Sequence, residues 1–330
     1  MDQTQTICIT GGTGFVGRSI IRDLIMAGYR VRALCRDQSK GEQIFPEGQF
    51  EDDALTWVSG TLQDTDALNR LVKGCAGCIH LVGIIRETKH QTFDQAHHLG
   101  TRAMVDACTR EDPEMRYIQM SALGVKNDTQ VEYRRTKYLA EQYLKKSSLR
   151  WTIFRPGLIH GTDGEFTHML VDWVRGKAPP FVFLPYFSRW KKNGFGMEAA
   201  MVAPIHVEEL DQIFVKALST DEAIGGTYEL AGPEHIRFDE LLKAVRETLP
   251  KGRFNRPAIG IPWRIASLQA SIFGAVGLGG VLPFDRGMVV MGAQDAVTSS
   301  EEQSRVQEAF GISPTGFSDA FSSYAHLLSV

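Results

Sequence analysis

Thr6-Ile7-Cys8-Ile9-Thr10-Gly11-Gly12-Thr13-Gly14-Phe15-Val16-Gly17-Arg18 decides the fold. The first five residues read as a short apolar strand. Glycines then recur at 11, 14 and 17. Beyond them Val16, Ile20, Ile21, Leu24 and Ile25 form one apolar stripe at helical spacing. Strand, glycine turn and helix in that order make a phosphate seat. One glycine permits the tight turn, a second lets backbone approach a pyrophosphate, and a third lets helix and strand pack closely. The helix N-terminus adds unpaired N–H groups and the positive end of its dipole. The competing reading is a tight structural turn that holds no ligand.

Outward from this turn, strands are expected over 29–35, 55–59, 75–85, 115–120 and 151–154. Helices are expected over 64–72, 93–109 and 133–146. This alternation predicts an α/β fold, a Rossmann-type doubly wound parallel sheet. After about residue 156 the pattern loosens. Residues 176–201 show little periodicity, followed by a helix over 205–218, a strand over 227–230 and a helix over 237–248. The expected division is a dinucleotide-binding core over 1–155 and a C-terminal substrate region over 156–330. That region partly returns to the sheet and adds a smaller, interleaved cap.

Composition narrows the function. The 330 residues are 43% hydrophobic, enough for a sizeable core. The 36 basic and 39 acidic residues leave a net charge of -3, which argues against a nucleic-acid surface. The five cysteines and the polar start MDQTQT predict a reducing cytoplasm, with no secretory leader. Cys75-Ala-Gly-Cys78 is a lone CxxC, and reads as small apolar residues entering a buried strand. No metal site is expected.

The dinucleotide type is argued from the end of the second strand. An acid about 20 residues past the glycines suits the ribose 2′-OH of NAD. Arg36 stands in that window, with Asp37 as the competing acid and Arg18 and Lys40 as further cations. A guanidinium there suits a 2′-phosphate, so NADP(H) is favoured over NAD(H). The plain alternative for Arg36 is a solvated loop charge. Thr61 and Leu62 follow the third strand, where an adenine edge could be contacted. Leu81, Val82 and Gly83 end the fourth, where backbone passes close to the cofactor.

Tyr133-Arg134-Arg135-Thr136-Lys137 opens a helix and places Tyr133 and Lys137 on one face. Ser121 ends the preceding strand. A lysine cation beside a ribose lowers a phenol's pKa. The tyrosine then trades a proton with a substrate oxygen that a serine hydroxyl orients. An exposed aromatic and basic helix face is the bland reading.

The stretch TGGTGFVGR, the set Ser121, Tyr133 and Lys137, and Arg155-Pro156-Gly157 resemble the extended and atypical short-chain dehydrogenases/reductases. Within them the chain is similar to the branch of the respiratory complex I accessory subunit and its stand-alone bacterial relatives. VRALCR at 31–36, His97-His98-Leu99-Gly100-Thr101, MSALGV at 120–125, YRRTKYLAE at 133–141 and PIHVEEL at 204–210 carry this, with the tail segments DRGMVVMGAQDAV and FGISPTGFSDAF. The resemblance implies a seven-stranded Rossmann sheet with bound NAD(P). The cofactor-binding set is then Gly11, Thr13, Gly14, Phe15, Val16, Gly17, Arg18, Arg36, Thr61, Leu62, Leu81, Val82, Gly83, Tyr133, Lys137 and Pro156. The catalytic set is Ser121, Tyr133 and Lys137. Two departures bear on adenine contacts and substrate: Thr61 replaces the family's usual Asp, and the segment between Leu184 and Ala203 is longer.

Phe181, Phe183, Tyr186, Phe187, Trp190 and Phe195 crowd one segment with Lys191 and Lys192. They read either as a lid or membrane-dipping surface, or as strand-edge packing. Residues 265–284 carry no charge, and an amphipathic helix fits them better than a membrane span. Core packing and a peripheral membrane or protein contact are both open there. His97 reads as a packing residue or as one that holds a site residue in place. Three functions follow: hydride transfer between NADP(H) and an unidentified carbonyl or alcohol; a non-catalytic dinucleotide-binding accessory or assembly factor for a membrane respiratory complex; or a nucleotide-sugar epimerase or dehydratase. The expected location is cytoplasmic, with a peripheral place at the inner face of a membrane as the alternative.

Overall fold

The computed structural model describes residues 4–46, 48–51, 53–128, 131–191, 195–249, 256–275 and 286–328. Through Pro156 the elements are β1 (Thr6–Thr10), α1 (Phe15–Met26), β2 (Arg30–Cys35), α2 (Gln38–Ile44), β3 (Leu55–Ser59), α3 (Thr65–Val72), β4 (Gly77–His80), α4 (Gly100–Glu111), β5 (Arg116–Met120), α5 (Glu132–Leu144) and β6 (Arg150–Pro156). A single π-helical stretch, Asp94–Leu99, leads into α4. Then follow β7 (Ile159–His160), α6 (Glu165–Arg175), β8 (Leu184–Trp190), β9 (Met197–Ala199), β10 (Met201–Val202), β11 (Ile205–His206), α7 (Val207–Ala217), β12 (Thr227–Leu230), β13 (Ile236–Arg237), α8 (Phe238–Thr248), β14 (Ala258–Pro262), α9 (Trp263–Ala275), α10 (Arg286–Gly292), α11 (Ser300–Phe310) and α12 (Phe317–Tyr324).

The chain divides into two compact units. The first joins Met1–Pro156, Val207–Leu230 and Ser300–Ser313. Its seven-stranded sheet has the order β12-β6-β5-β4-β1-β2-β3, with every neighbouring pair parallel. Parallel strands need crossovers, and the helices supply them on both faces. β4 is therefore buried along its whole length. On one side α3, α4 and α5 pack in series, and α1 packs against α7. Leu68, Leu71, Met104, Cys108, Tyr117 and Ile153 belong to the core beneath α3 to α5. The order reverses between β1 and β4, the place where sheets of this kind bind ligands at the carboxyl ends of their strands.

Several boundaries depart from expectation. β4 stops at His80 rather than running to 85. Leu81 still donates its N–H to Thr10, but β1 leaves the sheet at Gly11, so the strand loses its partner. All five cysteines are buried free thiols, and no group that could hold a metal occurs among the described residues.

The second unit comprises Gly157–His206, Ala231–Ser299 and Pro314–Val330. Here the segment of little periodicity, 176–201, is partly strand. β8 pairs with β14 in parallel and with β9 antiparallel. Tyr186, Phe187 and Trp190 therefore lie on a strand, while Phe181 and Phe195 are exposed outside it. Phe187 and the buried Ser188 break the apolar alternation that would have revealed β8. Leu170, Leu242, Val245, Phe317 and Phe321 form this unit's core. On α9, Ala266, Ser267 and Ala270 are buried and Ile265 and Leu268 are exposed. Residues 276–284 and the side chains of Ile272 and Phe273 lie outside the described residues, as does Lys192. No helix among the described residues is long and apolar enough to cross a membrane.

Candidate functional site

The glycine turn is shaped by backbone. Gly11 has φ +79°, a left-handed conformation that favours glycine, and a Cβ on it would lie 3.3 Å from Leu81 and Val82 at the end of β4. A Cβ on Gly17 would lie 2.2 Å from the Gly11 carbonyl oxygen and 2.7 Å from the Gly12 Cα, both backbone atoms that cannot step aside. Gly17 thus sets the helix against the turn. Gly14 is the N-cap of α1 and is exposed; no side chain caps the helix, and its first turn has no acid. The first-turn N–H groups lack intrahelical acceptors, and the dipole end carries no competing charge. The seat therefore fits a pyrophosphate. Thr13, Phe15 and Arg18 are half-buried around it, and Val16 is buried.

At the end of β2, Arg36 is exposed. Asp37 is the N-cap of α2. Its Oδ1 accepts from the Ser39 N–H at 3.0 Å and the Ser39 hydroxyl at 2.6 Å, which holds the carboxyl below its ordinary range. The rival acid is thus engaged in a helix cap. After β3, Thr61 is exposed and its Oγ1 accepts from the Gln63 N–H at 3.3 Å. Asp64 caps α3 through the Ala67 N–H at 3.0 Å. The Leu62 side chain enters the core, which leaves only its backbone for a ligand.

On α5 the expected face forms. Lys137 is buried, with Nζ 5.7 Å from the Tyr133 ring centroid, 3.4 Å from the Met120 carbonyl oxygen and 3.5 Å from that of Ser121. A Cβ on Gly83 would lie 3.2 Å from this Nζ, so the chain after β4 passes directly over the lysine. Burial pulls Lys137 down to about 8, against the opposing pull of Glu141. Burial also pushes Tyr133 up to about 12. The phenol is therefore protonated at neutral pH.

Ser121 follows directly on β5. Its hydroxyl donates to Glu141 Oε1 at 2.6 Å. Glu141 is fully buried and is gripped by Arg155, with Nε 2.9 Å from Oε1 and Nη2 2.6 Å from Oε2. Because its proton is committed, Ser121 offers a ligand acceptor lone pairs only. Pro156 is buried at the end of β6, where its carbonyl accepts from the Leu123 N–H at 2.9 Å.

Sequence reasoning missed Glu141 and the full part played by His97. Glu141 follows Lys137 by four residues and Tyr133 by eight, so helical spacing already placed it on their face. His97 is 2% exposed and stands edge-on to Tyr133 at 5.2 Å. The Thr136 hydroxyl is within donating distance of the Glu132 carbonyl, so it can accept from His97 Nδ1 at 3.0 Å. Nε2 can then accept from the Ile84 N–H at 3.1 Å. Burial and the Lys137 charge hold the ring neutral, at about 2. His97 thereby ties the segment after β4 to α5.

Comparison with known proteins matches residues 11–175 to a family described as NAD(P)H-binding. A ceramide reductase of Caulobacter vibrioides is 28% identical over 208 residues, 63% of this chain and 59% of its own length. The mitochondrial NADH dehydrogenase [ubiquinone] 1 alpha subcomplex subunit 9 of Arabidopsis thaliana is 25% identical over 246 residues, 73% of this chain and 57% of its own. The chain thus spans less than two thirds of the length of these relatives. A short-chain dehydrogenase/reductase superfamily protein from Agrobacterium tumefaciens, solved with bound NAD, has the same fold. Its TM-score is 0.67 at 18% identity, covering 98% of this chain and 97% of that one.

Proposed function

The chain belongs to the NAD(P)H-binding family, and from that premise we propose that it transfers a hydride between NADP(H) and a carbonyl or alcohol substrate. The observation that carries this reading is the α5 face: Tyr133 and Lys137 side by side, under the glycine that follows β4. When bound, the nicotinamide supplies or accepts the hydride. The α1 N-terminus holds the pyrophosphate. Lys137 holds the ribose, with its Nζ 5.7 Å from the Tyr133 ring centroid. Tyr133 gives its proton to the substrate oxygen during reduction and takes it back during oxidation. Ser121, whose own proton goes to Glu141, receives a hydrogen bond from the alcohol form. NADP(H) is favoured over NAD(H) because Arg36 is exposed at the ribose end while Asp37 is occupied with its cap.

The test is to denature the purified protein, identify any released dinucleotide, and then assay NADPH oxidation on a panel of ketones and aldehydes. Turnover with NADPH that disappears in Tyr133→Phe supports the reading. Release of NAD alone would remove the argument from Arg36.

A second reading is a non-catalytic accessory role at a membrane complex. The relative named as a mitochondrial NADH dehydrogenase subunit favours it, as do Trp190, Phe195, Ile265 and Leu268, all exposed in the second unit. Absence of turnover, with membrane co-sedimentation that Trp190→Ser and Leu268→Ser abolish, would favour this role.

A further inference from the structure

α7 buries Val207, Leu210, Asp211, Ile213, Phe214 and Ala217, a stripe that is apolar except at Asp211. This helix packs against α1. Asp211 is 0% exposed, and neither carboxyl oxygen has a hydrogen-bond partner of good geometry among the described residues. From α1, the Ser19 hydroxyl and Arg22 favour the anion, while Asp23 opposes it; on α7 itself Glu208 opposes it too. An ionised carboxylate enclosed in this way is costly, and the neutral acid much less so.

We propose that Asp211 is held as the neutral acid in the folded protein, so that a proton seats α1 against α7 and the seating weakens as that proton leaves. Burial pushes the group up to about 8, and half-buried Asp23 is raised for the same reason, with Glu208 adding to it. In the unfolded chain the carboxyl titrates near 3.8. Between about 4 and 8 the folded state therefore binds a proton that the unfolded state does not. Stability is fully present at the acid end of this window and falls as pH rises, by up to about tenfold per pH unit in the folding equilibrium. α1 begins at the glycine turn, so loss of the proton also weakens dinucleotide binding. That consequence rests on the function proposed above.

The experiment is urea unfolding of the full chain at pH 5, 6.5 and 8, in wild type and Asp211→Asn, which keeps the shape of the neutral acid. The wild type is expected to lose stability across this range. The variant is expected to be flatter and to be the more stable of the two at pH 8. A variant that keeps the wild-type slope, or is less stable at pH 8, overturns the proposal. Should the variant fail to fold, the carboxyl 13C shift of Asp211 in labelled wild type decides: a midpoint near 8 supports the proposal, and one near 4 overturns it. NADPH fluorescence titration at pH 6.5 and 8.5 tests the consequence. Weakening that is larger in wild type than in Asp211→Asn supports the link to α1, and equal weakening refutes it. If neither protein binds NADPH at any pH, the dinucleotide reading fails, while the unfolding data still judge Asp211.

Discussion

At the start of α1 the chain presents backbone: a glycine at φ +79°, an uncapped helix end, and glycines whose missing side chains let the turn close. On α5 it presents the opposite, a set of polar side chains taken out of water. Lys137, Thr136 and Glu141 are all buried, and each is satisfied by a named neighbour: the Met120 and Ser121 carbonyls, His97, and the Arg155 guanidinium. The first region tolerates no added atom, and the second no lost partner. An anion seat needs exposed N–H groups and room. A proton-transfer site needs groups whose environments move their pKa values.

The largest effect should come from adding atoms at the turn. Gly17→Val places a side chain onto two backbone atoms, and we expect no soluble folded protein, read by circular dichroism and expression yield. Removing a partner from α5 comes next. Glu141→Ala leaves Arg155 and Ser121 without their acceptor. Urea unfolding should show a loss of about 3 kcal/mol, the low end for a broken buried pair, because Arg155 keeps Glu229 at 3.9 Å. Equal stability to wild type would mean that the network is not structural.

Tyr133→Phe should leave the unfolding midpoint nearly unchanged and lower kcat by about 100- to 10,000-fold once a substrate is found. A large stability change would instead make Tyr133 a packing residue against Phe93 and His97. The smallest effect is expected at the ribose end. Arg36→Ala should weaken NADPH binding by about 1.5–3 kcal/mol, the worth of a charged hydrogen bond, and leave NADH binding unaltered. Equal losses for both nucleotides would sink the 2′-phosphate assignment.

The two regions also differ in how legible they were. The glycine turn could be read because its demands are local: strand, glycines at fixed spacing and helical stripe lie within 25 residues. Tyr133 and Lys137 were legible for the same reason, through i,i+4 spacing. The partners of α5 were not. Arg155 reaches Glu141 from β6, and His97 comes from the helical stretch before α4. Nothing in the order of residues says which of several arginines or histidines will arrive. β8 escapes the pattern because Phe187 and Ser188 break its alternation, and β4 is shorter than its apolar run because its length is set by where β1 leaves the sheet.

By itself the sequence determined the alternation of parallel strands and helices, the phosphate-type turn, and which helix carries the tyrosine and lysine. All of these follow from backbone sterics and hydrophobic periodicity acting over one or two turns of chain. Only the tertiary structure decided the state of the chemistry. It raised Tyr133 to about 12, lowered Lys137 to about 8 and gave the Ser121 proton to Glu141. It also enclosed Asp211 between two helices more than 180 residues apart in sequence. The reason is that desolvation and charge pairing depend on what packs around a group, and those neighbours come from distant parts of the chain.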